Sequence, residues 1–299
     1  MTETIETAGD LLREQFANLT SDAGRKALAK RKITLFLILA TLLVTAAYVP
    51  ILRGGGEIKM LPVALLMWMP GLAAILTQLI TTRSIKGLGW KPRTGKLLGL
   101  ALVLPLIYAL PVYGLTWLSG LGSFNPAGWS AEAGGLAALP ALGLLLTAGM
   151  VQSLLTALGE EIGWRGLLVP QLARLTSLRN VWLISSVVWL LFHVPLILGG
   201  DYHAEGTPLW FSLLCFTAMV FAMSAVMAWI RLASGSLWTA ALLHASHNLI
   251  VQGIFDAGTK AGPVSPYVTG EFGAGLAVTI GMVGWVLWRR GVGQNNLNG

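Results

Sequence analysis

Eight apolar stretches set what this chain can become. They run over roughly 33–52, 60–80, 97–118, 136–158, 181–199, 209–230, 236–256 and 272–288. Each is close to the ~20 residues that carry a helix across a bilayer core. In lipid the backbone has no water to bond, so such stretches cross as helices that satisfy their own peptide groups. Composition points the same way. Only 11% of the 299 residues are charged and 55% are hydrophobic, whereas soluble domains carry about 25% charged residues. The expected fold class is all-α: a polytopic membrane protein of about eight transmembrane helices enclosing a cavity. The first stretch is too long, and too far from the start, for a signal-peptide core, so it reads as a retained anchor.

The twenty Lys and Arg residues test the count of spans. With the N-terminus inside, all but Arg53, Lys59 and Lys260 fall on inside segments. Basic residues collect on the cytoplasmic side of short loops. The pattern therefore predicts an even number of spans, both termini cytoplasmic, in the plasma membrane. The net charge of +7 reports orientation and is no sign of nucleic-acid binding.

Residues 1–32 precede the first span. Leu12, Phe16, Leu19 and Ala23 recur at helical spacing, followed by the basic run RKALAKRK. This reads as a cytoplasmic amphipathic segment on the anionic inner leaflet, or as a partly disordered tail. Residues 33–290 form one transmembrane domain. Stretches 119–135 and 199–208 carry no Lys or Arg and read as outside loops. The single cysteine, Cys215, excludes an internal disulfide and any Cys-rich zinc pattern.

Against this apolar background the stretch LGEEIGWRGLL (158–168) stands out. Ionisable groups at membrane depth are costly and face a cavity or a partner. At about 100° per residue, Glu161 and Arg165 share a helix face and can pair. Glu160 is turned away from that partner and left free for a cavity. Gly159, Gly163 and Gly166 strip bulk from the surroundings, so another helix or a substrate backbone can come close. The bland alternative is a salt-bridged helix end whose charges reach the interface. His193, in WLLFHVP, lies inside an apolar run. A lone histidine there serves structural hydrogen bonding as readily as chemistry. In LLHASHNL, His244 and Asn248 share a face, with His247 about 60° around. An imidazole and a carboxamide so placed can hold one oxygen, can include a metal-ligating His244, or can act as polar glue between helices. Together these groups supply a free carboxylate, imidazoles and a donor amide. Those are the parts for hydrolysis, a base for water and donors for an oxyanion. No Ser-His-Asp set, HExxH or Walker loop appears.

GEE-x3-R, then aromatic-x3-His, then His-x3-Asn, in that order on successive apolar helices, resembles the CAAX-protease and bacteriocin-processing (CPBP, or Abi) family. These intramembrane proteases include the type II CAAX prenyl endopeptidases, and the resemblance covers about residues 136–256. It implies a helical membrane fold with a cavity opening toward the membrane and cytoplasm. It implies that Glu160, assisted by His193, activates water. It implies that His244 and Asn248 stabilise the oxyanion, with Glu161 and Arg165 as a supporting pair. The family's second motif usually has Phe where this chain has Trp189. No cofactor is required by this reading, though the imidazoles and carboxylates make a tetrahedral zinc site chemically possible.

The expected function is an intramembrane endopeptidase acting on membrane-associated peptides or proteins, with the bilayer as its other partner and cleavage near the cytoplasmic face. A catalytically silent scaffold or immunity protein is one alternative. A proton-coupled transporter is another, weakened because no internal repeat is visible. One spatial conflict stands. Glu160 falls near the cytoplasmic end of its predicted span, while His193 sits about 20 Å along its own helix from position 180. The two meet only if Glu160 lies deeper, or if the fifth helix starts below the membrane surface.

Overall fold

The structure is a computed structural model that describes residues 7–14, 23–55, 59–92, 95–287 and 289. It is a helical membrane protein. A short helix, α1 (7–14), is followed by α2 (Ala23–Arg53), α3 (Met60–Thr82) and α4 (Gly95–Leu118). Then come a short strand β1 (Gly122–Phe124) and the short α5 (Ala127–Glu132). The long α6 (Ala138–Leu172), α7 (Leu178–Gly199) and α8 (Leu209–Ser234) follow. Helix α9 (Leu237–His247) continues without a break as a π-helical segment, Asn248–Asp256. Strand β2 (Thr259–Ala261) and α10 (Ala274–Leu287) complete the order.

Among the described residues, six helices are long and apolar enough to cross a membrane: α2, α3, α4, α6, α7 and α8. The last predicted stretch forms α10, which has only 14 residues. Proline interrupts α2, α3, α4 and α7; helices in lipid tolerate this where neighbours and local backbone adjustment re-satisfy the freed groups.

Three differences from the sequence reading have clear causes. Helix α2 begins at Ala23, ten residues before the apolar run, because Lys32 finds a buried partner: its Nζ donates to Gln78 Oε1 of α3 at 2.5 Å. Leu12 and Ala8 are buried in the same apolar core as Phe36, so this part of the N-terminal segment packs its apolar face on protein. Phe16 and Leu19 lie outside the described residues. Finally, β1 and β2 pair antiparallel, Ser123 opposite Lys260. That tie between two loops leaves no signal in three-residue strands.

Glycine sets the spacing of α3 and α6. A Cβ on Gly159 would sit 2.8 Å from the Met67 carbonyl oxygen and the Trp68 Cα, and one on Gly163 2.6 Å from Pro70. Gly71 answers from α3, where a Cβ would meet the Gly159 carbonyl oxygen at 2.5 Å. Small residues four apart let membrane helices touch backbone to backbone. Gly166 is different: its nearest neighbours lie at 3.4–3.7 Å, so it contributes little to this approach. Gly159→Ala is expected to force the helices apart, at a cost of about 1–3 kcal/mol. Gly99→Ala in α4, where nothing lies within 4 Å, is the neutral control. Melting of the two variants in detergent checks this.

The turn from α8 to α9 is equally determined. Gly235 ends α8 at φ 67°, and the Ser236 side chain accepts from Trp238 N at 3.3 Å to cap α9. This hairpin brings Arg231 and His244 to α6, where Arg231 Nε donates to the Arg165 carbonyl at 2.8 Å.

Candidate active site

Glu160 is not at a helix end. Helix α6 runs on to Leu172, with residues Ile162–Leu168 wound as a π-helix. Such wide turns are frequent at functional sites. The carboxylate is thus deep inside the protein, 1% exposed, which removes the spatial conflict with His193.

Two indoles hold Glu160. Trp189 Nε1 donates to Oε2 at 2.8 Å, and Trp164 Nε1 donates to the same oxygen at 3.3 Å. The other oxygen, Oε1, takes no protein donor among the described residues. Trp189 is itself clamped. The Arg165 guanidinium lies 4.2 Å over its ring, a cation–π arrangement that a phenylalanine at this position could share, but without the N–H.

Glu161 lies on the other side of the helix and is fully buried. Its Oε1 accepts from Arg165 at 2.8 Å and from His244 Nδ1 at 2.9 Å. Arg165 also donates to Ser224 Oγ of α8 at 3.2 Å. The pair therefore ties α6, α8 and α9 together behind the site. Both partners are removed from water, where breaking such a pair is far costlier than breaking a surface one.

The three histidines of this region differ in what they leave free. His193 Nδ1 donates to the Trp189 carbonyl at 2.9 Å, which leaves Nε2 available. His244 commits Nδ1 to Glu161, again leaving Nε2. His247 has neither nitrogen to spare: Nε2 donates to Glu271 Oε1 at 2.9 Å, and Nδ1 accepts from Tyr108 Oη at 2.7 Å. Glu271 also accepts from Tyr202 Oη at 2.6 Å. Burial alone would raise its carboxyl, but the His247 and Tyr202 hydrogen bonds outweigh burial and hold it down at about 2. The Tyr202 ring stacks on His193, centroids 6.0 Å apart.

Glu160, His193, His244 and Asn248 all line one cavity of about 540 Å³, together with His247, Tyr202 and Glu271. Glu161 and Arg165 stand behind its wall. So four of the six residues singled out from sequence share a cavity and the other two brace it. Sequence reasoning missed Trp164, Tyr202 and Glu271. Trp164 had a usable signal, since it is four residues from Glu160 on one helix. Tyr202 and Glu271 had none, because each reaches the cavity from a loop. The cavity lining includes Met60, Glu132, Tyr202 and Glu271, which belong to the end of the molecule that is poor in Lys and Arg.

Among the described residues no three His, Cys, Asp or Glu side chains gather where they could hold an ion. Glu161 Oε1 is shared with Arg165, and the two indoles use the first oxygen of Glu160.

The segment that carries all six residues can be compared with known families. Residues 142–250 match the model described as type II CAAX prenyl endopeptidase Rce1-like. Over those residues the chain is similar to that family. The match supports the CPBP resemblance and a CAAX-type intramembrane protease in general terms. It ends before Glu271, so the His247–Glu271 pair joins the Rce1-like segment to a loop beyond it. No curated protein matches the chain.

Proposed function

We propose that this chain is an intramembrane endopeptidase that hydrolyses peptide bonds of membrane-associated peptides or proteins. The observation that carries the reading is the convergence of Glu160, His193, His244 and Asn248, from three helices, on one cavity. The residues behind it hold them in place.

Glu160 Oε1 is the base. It takes a proton from a water molecule in the cavity while that water's oxygen attacks the peptide carbonyl carbon. His193 orients the same water through Nε2, its tautomer set by the Trp189 carbonyl. Charge then develops on the carbonyl oxygen. His244, carrying a second proton on Nε2 with Glu161 as its counter-charge, donates to that oxygen, and the Asn248 amide donates beside it. Collapse of the tetrahedral intermediate expels the amine, which takes the proton Glu160 had accepted. Preorganised donors at a developing oxyanion are worth several kcal/mol in a site shielded from water. No step passes through a metal.

In this reading 136–256 is the catalytic core of a transmembrane domain, 33–290. The protein sits in the plasma membrane with both termini cytoplasmic, following the distribution of Lys and Arg. The test uses purified protein in nanodiscs with a panel of quenched fluorescent membrane peptides. Wild type is expected to cleave at least one of them, to keep its rate in chelator, and to lose about 10²-fold or more with His193→Ala. Equal cleavage by wild type and variant would remove His193 from the mechanism. Chelator loss restored by zinc would replace the carboxylate mechanism with a metal one.

A further inference from the structure

The cavity belongs to one end of the molecule. Its lining includes Met60 in the first turn of α3, Glu132 at the end of α5, and Tyr202 and Glu271 from the loops after α7 and after β2. The β1–β2 pair ties two of those loops together at this end. Inward from the mouth, Gln152, Thr156 and Glu160 follow at four-residue intervals down α6, so one polar face of that helix leads to the base.

The opposite end is closed. Every residue from 159 to 173 is buried. Below them Arg231 Nε bonds the Arg165 carbonyl at 2.8 Å, Leu237 N bonds the Gly89 carbonyl at 2.8 Å and Trp238 Nε1 bonds the Trp90 carbonyl at 2.7 Å. No residue of the loops between α3 and α4, between α6 and α7, or between α8 and α9 lines the cavity among the described residues.

That closed end carries Arg83, Lys86, Lys91, Lys96, Arg174, Arg179 and Arg231, whereas the open end carries Arg53, Lys59 and Lys260. Basic residues near the ends of spans stay in the cytoplasm. We infer that the cavity opens to the non-cytoplasmic side of the membrane, so that peptide enters from the outer leaflet or the outer aqueous face, opposite to the cytoplasmic side the family resemblance implied. The naming of the occupant as substrate rests on the proposed peptidase. The sidedness does not.

The chain's lone cysteine makes the test clean. In a Cys215→Ala background, Gln152→Cys and Glu132→Cys mark the cavity and its mouth, and Lys91→Cys marks the basic end. Right-side-out membrane vesicles of expressing cells are treated with a membrane-impermeant maleimide, before and after permeabilisation. The expected result is labelling of Gln152→Cys or Glu132→Cys in intact vesicles, with Lys91→Cys labelled only after permeabilisation. The reverse pattern overturns the inference, as does labelling of both cavity positions only after permeabilisation. An impermeant fluorescent peptide is then offered to right-side-out and inside-out vesicles of the full-length protein. Cleavage by right-side-out vesicles alone supports the inference, and cleavage by inside-out vesicles alone overturns it. Cleavage by neither counts against the peptidase reading, while the labelling still decides the sidedness.

Discussion

Glu160→Gln is expected to lower peptide turnover by about 10²–10⁴-fold while leaving the protein folded. The substitution isolates the proton-accepting oxygen. The Gln carbonyl can still receive the Trp189 and Trp164 indole N–H groups that now meet Oε2, so the packing around the side chain survives. What is lost is the oxygen that no protein donor occupies. Glu160→Ala is a poorer probe, because it strands two indole donors. Each buried donor left without an acceptor costs about 1–3 kcal/mol, and that confuses loss of chemistry with loss of structure. Trp189→Phe completes the comparison. It keeps an aromatic ring beneath Arg165 and removes one hydrogen bond to a charged oxygen, worth about 1.5–3 kcal/mol. Activity should fall by roughly 10–100-fold, between wild type and Glu160→Gln. Steady-state cleavage of a fluorescent peptide in nanodiscs, beside a melting curve for each variant, reads all three. Turnover of Glu160→Gln within a factor of a few of wild type would remove Glu160 as the base.

Much of this arrangement was legible in the chain. Helical spacing was enough to pair Glu161 with Arg165 and to leave Glu160 for a cavity, because i,i+4 geometry survives the wider winding that follows. The apolar runs located the long helices. Depth was not legible. Hydropathy ends the fourth span near residue 158, since Glu160, Glu161 and Arg165 look like an interface. Yet Arg165 pairs with Glu161 and two indoles hold Glu160, and the helix carries these groups onward to Leu172. Continuation of a helix through charge depends on partners from other helices, here His244, Ser224 and Trp189, and no local window contains them. For the same reason part of the cavity wall was hidden, since Tyr202 and Glu271 are brought to it by pairing with each other and with His247. Trp189 was read only as an aromatic in place of phenylalanine, but its N–H is what fixes the carboxylate.

The buried pair behind the site gives the other large effect. Arg165→Met should destabilise the protein by about 3–5 kcal/mol, a fall in melting midpoint on the order of 10 °C. Glu161 would remain fully buried with His244 as its only partner, and Trp189 would lose the guanidinium above its ring. Replacing both partners, Glu161→Gln with Arg165→Met, removes the stranded charge, and exchanging a whole buried pair for neutral groups is often near neutral. Most of the stability should therefore return. Activity should not. In the double variant His244 no longer faces a carboxylate, and a neutral imidazole that donates through Nδ1 has only a lone pair at Nε2 to offer the oxyanion. Stability and turnover thus part company: low and low in the single variant, restored and low in the double. Melting and peptide cleavage measured on the same preparations give both axes. A double variant that recovers turnover along with stability would reduce Glu161 and Arg165 to a brace between helices. One that recovers stability alone would make the carboxylate part of how His244 holds charge during the reaction.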